Sequence, residues 1–226
     1  MTAEGWIFTA EELMVLLSVL SAPALYGFWA HTPEDSGKVL TAANRLTARG
    51  VLTAGPGGFQ LAEGELRPLL APLCAPERVF CLSPKEEGRP QVCYALSGGD
   101  FTGCEAVLVQ SGAVRLFSRP AKEWFQELEE REVLSPFARR FPAARRRTEP
   151  LEPLFDRSAE ELLEWPGAAF LLEEWDPQSR QVCRRTLITA GPGGEGAVVC
   201  TPEKSVRTND AAGAVALTAP QEEDEP

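Results

Sequence analysis

The residues of this sequence that could carry chemistry are few and far apart. The one histidine, His31, lies beside Pro33 in an expected loop and has no second imidazole with which to share a metal ion. The cysteines form no Cys-x-x-Cys pair, and the two nearest, Cys74 and Cys81, are seven residues apart. We therefore predict no metal site and no cofactor. Reduced, mostly buried thiols are expected at Cys74, Cys81, Cys93, Cys104, Cys183 and Cys200.

Two glycine-rich segments and two pairs of acids also invite a catalytic interpretation. Residues 55–58 and 191–194 both read Gly-Pro-Gly-Gly, but neither continues as a phosphate-binding loop, so we interpret both as tight turns. The pairs Glu11-Glu12 and Glu160-Glu161 fall in the first turn of expected helices, where carboxylates interact favourably with the helix dipole. Glu161 also completes a capping box with Ser158. We predict no catalytic residue and no enzymatic activity, since an enzyme would need groups assembled from distant positions.

The charge balance separates the possible classes of partner. Asp and Glu outnumber Lys and Arg by 33 to 22, which gives a formal net charge of −11. Such a chain is repelled by phosphate backbones and anionic lipid, so nucleic acid is disfavoured. The first residues contain no basic region, and no apolar run approaches the roughly 18 residues of a membrane span. We expect a cytoplasmic protein with no membrane partner, and a disordered acidic tail over residues 220–226.

Residues 1–76 are predicted to form a winged-helix-like helical module. Thr9 and Glu12 have the spacing of a capping box, which predicts the start of a helix, and Gly50 is a typical residue to end the second helix. A Gly-rich turn then joins two short apolar runs, as in a hairpin. The order helix, helix, hairpin, helix is expected over residues 10–21, 39–49, 51–61 and 63–74.

A winged-helix module has an obvious alternative function, which is DNA binding by a transcriptional regulator. Its recognition helix would present basic and amide side chains to the major groove. The candidate helix offers only Lys38, Asn44, Arg45 and Arg49, and the expected wing carries no Lys or Arg to meet a phosphate. We therefore favour a structural or protein-binding use of this shape, and keep the regulator as the alternative.

Beyond the module, a strand cluster occurs twice. The tripeptide Gln91-Val92-Cys93 recurs ninety positions later as Gln181-Val182-Cys183, and an expected helix precedes each cluster. Turn residues separate short β-rich runs in both clusters, which is typical of an antiparallel meander. The expected strands are 79–82, 91–96, 106–109 and 113–117, then 169–172, 181–183, 187–189 and 197–200, with a weaker run at Val206.

These clusters predict the domain organisation and the fold class. Residues 77–150 are expected to hold the first antiparallel strand unit with a helix and an Arg-rich connector, and residues 151–219 the second unit. The predicted class is α+β, with both strand units in a sheet flanked by helices and a quasi-twofold arrangement. Residues 77–118 and 168–208 should then superpose as related units.

Two features are candidates for contact with a partner protein. Five arginines lie in a Pro-broken segment of an acidic chain, which is either a solvated linker or a basic strip that docks an acidic partner. Trp175 lies in an expected turn over residues 174–177, where an exposed tryptophan would act as a binding hot spot, although most tryptophans are core residues. The predicted partner-binding residues are Arg139, Arg140, Arg145, Arg146, Arg147 and Trp175.

The element order resembles the EspG-type secretion-associated chaperones of type VII secretion. The local similarity lies in Leu46-Thr47-Ala48-Arg49-Gly50-Val51-Leu52, in residues 65–73, and in the helix end at Cys74-Ala75-Pro76. The resemblance covers most of the chain, and implies a quasi-twofold α+β fold that binds a helical secretion substrate in the cytosol through its sheet region. The leading hypothesis is therefore a non-enzymatic, cytosolic chaperone or adaptor that binds another protein. No contact residue transfers from the family.

Overall fold

Two compact units make up the protein. A computed structural model describes residues 5–21, 36–64, 66–86, 91–96, 102–108, 113–121, 123–124, 126, 147–189 and 196–216. The first unit is Met1–Val79 with Pro90–Arg119, and the second is Phe80–Arg89 with Pro120–Pro226. Helices and antiparallel strands form both units, which confirms the predicted α+β class. None of the helices in these described ranges is long and apolar enough to cross a membrane.

In the described residues, nine elements and the start of a tenth belong to the first unit. They are β1 (Trp6–Thr9), α1 (Ala10–Val19), α2 (Ser36–Ala48), β2 (Leu52–Gly55), β3 (Gly58–Leu61), α3 (Leu66–Cys74), β4 (Arg78–Pro84), β5 (Gln91–Leu96), β6 (Thr102–Leu108) and β7 (Ala113–Pro120). Strand β4 begins in this unit and continues in the second. The strand order is β1-β7-β6-β5, and β2 and β3 form a hairpin of their own.

The sequence sets where α1 begins and where α2 ends. Thr9 Oγ1 accepts a hydrogen bond from the Glu12 N–H at 3.2 Å, and Glu12 Oε2 accepts one from the Thr9 N–H at 3.0 Å. This is the predicted capping box. At the end of α2, Gly50 has a φ of +71°, and the Val51 N–H donates to the Leu46 carbonyl at 2.9 Å. That geometry is a Schellman motif, so the predicted stop at Gly50 is confirmed.

Helices cover the strands of the first unit. Helix α1 packs against β1 and α2, while α3 packs against β5 and β6. Leu13, Leu16 and Leu70 are fully buried by this packing. Since burying one leucine stabilises a fold by about 1.5–3 kcal/mol, the apolar faces of these short helices hold them in place more than their own propensity does.

Seven further elements of the second unit have bounds within the described residues. They are β8 (Thr148–Leu151), α4 (Ala159–Leu163), β9 (Ala168–Asp176), β10 (Gln181–Thr189), β11 (Gly196–Thr201), β12 (Lys204–Thr208) and α5 (Ala211–Ala216). The strand order is β4-β9-β10-β11-β12-β8. Helix α4 opens with the predicted capping box between Ser158 and Glu161. Its Leu162 is buried in one core cluster with Leu171, Leu187 and Val198.

The prediction of separate strands at 181–183 and 187–189 is wrong. One strand, β10, runs through both segments, with a register shift between Val182 and Arg184. The intervening polar residues suggested a turn, but Arg185 pairs with the carboxylate of Glu173 on β9 at 2.8 Å. A charged residue with a partner across the ladder can therefore continue a strand where the pattern of apolar residues is interrupted.

The two units share a pattern of strand pairing. In the first, the strand before α1 pairs with the last strand of the meander, β1 with β7. In the second, the strand before α4 pairs with the last strand, β8 with β12. Strands β1 and β8 were not predicted, because four residues show too little alternation to be told from a loop.

Three finer expectations stay predictions. These are the superposition of residues 77–118 with 168–208, the winged-helix description of residues 1–76, and the sequence-based divisions after residues 76, 150 and 219. The predicted tail over residues 220–226 and the lone His31 lie outside the described residues.

Replacing Gly50 with alanine should destabilise the protein by about 1–2 kcal/mol, because a residue with a Cβ is strained at this positive φ. Space is not the cause, since nothing lies within 4 Å of an added Cβ at this position. Urea unfolding measures the change. Gly57→Ala in the β2–β3 turn is the matched control, since it also has open space and no positive φ. Equal unfolding free energies for the two variants would contradict the Schellman assignment.

Candidate protein-binding site

Of the five arginines predicted to contact a partner, the structure describes one. Arg139, Arg140, Arg145 and Arg146 lie outside the described residues. Arg147 is exposed and leads into β8, where its N–H donates to Asn209 Oδ1 at 2.8 Å and its carbonyl accepts from the Asn209 N–H at 3.3 Å. The backbone of Arg147 is thus fixed beside the end of β12, and its guanidinium faces solvent.

Trp175 lies in strand β9 rather than in the expected turn. It is half-buried and stands opposite Val182 of β10. Three strands separate β8 from β9, which places them about 19 Å apart at the usual spacing of about 4.8 Å. Arg147 and Trp175 therefore do not contact each other. A role for either in partner binding stays a prediction.

The tip of the β9–β10 hairpin, residues 176–180, is internally hydrogen-bonded, and its residues 178–180 are exposed. Asp176 accepts from the Gln178 N–H at 3.0 Å and from the Ser179 hydroxyl at 2.7 Å. These hydrogen bonds, that of Ser179 first, hold the pKa of Asp176 below its usual value. Arg180 closes the turn with a φ of +56° and donates its N–H to the Asp176 carbonyl. The tip is consequently a preformed turn whose outer side chains face solvent.

Arg185 anchors the base of the same hairpin. Its Nε contacts Glu173 Oε1 at 2.8 Å, and its Nη1 donates to the carbonyls of Phe155 and Arg157 in the segment before α4. The guanidinium also lies over the Phe155 ring, 5.5 Å from its centroid. Side-chain exposures of 15% for Arg185 and 7% for Glu173 indicate a largely desolvated pair. One side chain therefore joins β9, β10 and the chain segment that leads into α4.

In the first unit, the outer face of α2 is the surface that a DNA-binding function would use. It exposes Lys38, Arg45 and Leu40, and Leu40 is 57% exposed. A cleft of about 390 Å³ lies beside it and is lined by both signs of charge, Lys38 and Arg45 with Glu11. Hydrogen bonds from its own backbone N–H and from Thr9 lower the pKa of Glu11, with smaller contributions from the two cations. An ionised carboxylate here opposes the binding of a phosphate.

The Tyr94 hydroxyl, buried between β5, β6 and β7, has a structural role. The Tyr94 hydroxyl donates to the Arg119 carbonyl at 2.9 Å, and Arg119 Nε contacts Glu105 Oε2 at 2.8 Å. Burial raises the pKa of Tyr94, and burial with the neighbouring Cys93 raises the pKa of Cys104 well above its usual value. Both groups are therefore neutral at pH 7, and a neutral thiol is a poor nucleophile.

Comparison with known proteins adds a likeness of fold. No protein-family model matches the chain, and no curated protein matches its sequence. Among solved structures, the chain is similar to the Mycobacterium tuberculosis type VII secretion system chaperone EspG5, solved in complex with a PE25-PPE41 dimer. The TM-score is 0.58 at 13% identity, over 97% of this chain and 98% of that chain. At this identity the likeness concerns the fold, and at that level it confirms the predicted resemblance.

Replacing Arg185 with alanine should lower the unfolding free energy by about 3 kcal/mol, because it leaves the buried Glu173 carboxylate without its cation. Arg180→Ala, at the exposed tip of the same hairpin, should change it by less than about 0.5 kcal/mol. Urea unfolding of both variants at neutral pH makes the comparison. If Arg185→Ala proves as stable as Arg180→Ala, Arg185 does not anchor the hairpin.

Proposed function

We propose that this protein is a non-enzymatic, cytosolic chaperone-like protein that binds a helical protein substrate of a secretion system. The single observation that carries the proposal is the fold likeness to EspG5, which extends over nearly the whole of both chains rather than over one common motif. That neighbour was solved in complex with a protein dimer. The acidic charge of −11 adds support, because it disfavours phosphate-bearing partners.

The β9–β10 hairpin supports this proposal as the contact region. Its tip presents Gln178, Ser179 and Arg180 on a turn that is already hydrogen-bonded, and its base is held by Arg185. A preformed turn loses little conformational entropy on binding, which leaves more of the contact energy for affinity. Trp175, half-buried behind the tip, offers aromatic surface to a partner that packs along the strand.

The proposed duplication of the two units also supports a likeness to a quasi-twofold chaperone fold. Each unit holds an edge strand followed by a capped helix, and that edge strand pairs with the last strand of the unit. Two related units in a quasi-twofold arrangement would explain how a chain of 226 residues repeats one pairing pattern. A helical substrate would then bind one unit or the other. We propose that it binds the β9–β10 hairpin of the second unit.

A winged-helix DNA-binding regulator is the second candidate. Lys38 and Arg45 on the exposed face of α2 favour it, together with the element order α1, α2, β2, β3, α3. Against it, Arg49 is engaged by Glu12 at 3.1 Å, and Glu11 adds a negative charge beside Lys38 and Arg45. The protein-binding proposal therefore has the stronger support.

Affinity capture tests the proposal. The tagged full chain, expressed in its native host, should recover a stoichiometric secreted helical protein, identified by mass spectrometry. With that partner purified, Arg180→Glu should weaken binding at least about tenfold, because it inverts a charge at the tip. Lys204→Glu is the matched control, since it makes the same charge change in the exposed β11–β12 hairpin and should leave the Kd within about twofold.

Two results would contradict the proposal. One is capture of no protein together with saturable, sequence-specific DNA binding at physiological salt, which would establish the regulator instead. The other is equal loss of affinity in Arg180→Glu and Lys204→Glu, which would keep protein binding and remove the β9–β10 hairpin as its site.

A further inference from the structure

Strand β1 lies at one end of the strand order of the first unit. It pairs with β7 through Trp6–Thr9, and no strand in the described part of the chain pairs with its other side. An edge of this kind presents unpaired backbone groups that can template another strand. The side chain of Ile7 is 49% exposed, so the edge also has apolar surface beside it.

Two side chains occupy the outward backbone groups of β1. The Ile7 carbonyl accepts a hydrogen bond from Arg49 Nη2 at 3.1 Å, and the Thr9 N–H donates to Glu12 Oε2 at 3.0 Å. Residues two apart in a strand direct their backbone groups to the same side, so both groups point away from β7. Arg49 Nη1 and Glu12 Oε2 lie 3.1 Å apart and join the two contacts. The ion pair thus supplies one donor and one acceptor where an added strand would supply its own.

The sequence of β1 explains why it needs such protection. Residues 5–10 read Gly-Trp-Ile-Phe-Thr-Ala, with no charge, no proline and four residues of high β propensity, which is typical of segments that associate through their edges. The edge strand β8 of the second unit differs, since Glu149 and Pro150 are themselves the residues that discourage strand addition. Strand β8 is protected from within, whereas β1 relies on α1 and α2.

We propose that the Arg49–Glu12 pair closes the β1 edge against strand addition by a second copy of this chain. The second copy is the occupant that fits, because β1 is complementary to itself. In an antiparallel pair centred on Phe8, the Ile7 carbonyl meets the Thr9 N–H of the other copy, and the reverse contact forms by symmetry. Arg49, the residue directly after helix α2, therefore keeps a second copy from pairing with this edge. This inference does not depend on the proposed chaperone function.

Sedimentation over a range of concentrations tests this proposal with the full chain. Arg49→Ala should associate into a species of twice the mass of the wild-type species, with an association constant at least about tenfold higher. Arg45→Ala is the matched control, because it removes the same charge from an exposed position one turn earlier on α2 and should sediment as wild type. Adding Ile7→Lys to Arg49→Ala should restore wild-type sedimentation, since a lysine on an edge strand opposes pairing.

Hydrogen exchange separates the proposal from a merely stabilising role. In Arg49→Ala, amides of residues 5–9 should exchange more slowly as the protein concentration rises, because the second copy protects them. A purely structural role predicts faster exchange at every concentration. A folded Arg49→Ala that sediments as wild type, or association that Ile7→Lys does not reverse, would overturn the proposal.

If Arg49→Ala does not fold, Arg49→Lys takes its place in the sedimentation experiment. A lysine keeps the charge beside Glu12 but has no fork of donors to reach the Ile7 carbonyl as well. Concentration-dependent association that Ile7→Lys reverses is again expected. Sedimentation of a folded Arg49→Lys as wild type at every concentration would overturn the proposal as well.

Discussion

A strand at the end of a strand order directs backbone N–H and C=O groups away from its neighbour, and in the first unit two of these groups are bonded by side chains. Each unit ends its strand order with a four-residue strand, β1 or β8, followed by a helix that a capping box starts. In the first unit Glu12 serves the helix cap and the strand edge with the same oxygen. Helix start, edge closure and the docking of α2 are therefore one set of contacts, and a change to Glu12 or Arg49 would affect all three.

A second guanidinium has the comparable role in the second unit, where it supports the candidate binding site. Arg185 links two strands to the segment that leads into α4, and the hairpin it anchors ends in a turn ordered by Asp176. A rigid base and a preformed tip are what a hairpin needs to present side chains in one fixed geometry. The same fold could serve other functions, so the proposed function depends on this hairpin and on the likeness to a secretion chaperone.

The sequence predicted the elements whose signals are local, and missed those whose partners are distant. The capping boxes at Thr9 and Ser158 and the stop at Gly50 are complete within a few residues, so their helices were predicted correctly. Strand β10 was divided in two, because the ion pair between Arg185 and Glu173 cannot be read from either segment. Trp175 was assigned to a turn for the same reason, since the strand opposite it is only visible in three dimensions. No sequence signal linked Arg49 to β1, which lies 42 residues earlier.

The central claim is that a protein partner docks on the β9–β10 hairpin, while the closed β1 edge and the face of α2 take no part. Hydrogen exchange of the full chain with and without its captured partner tests this most directly, because it reports on every segment at once. The account predicts slower exchange over residues 174–183 in the complex and no change over residues 5–9 and 36–48. Protection confined to α2 and the β2–β3 hairpin, with residues 174–183 unchanged, would contradict it.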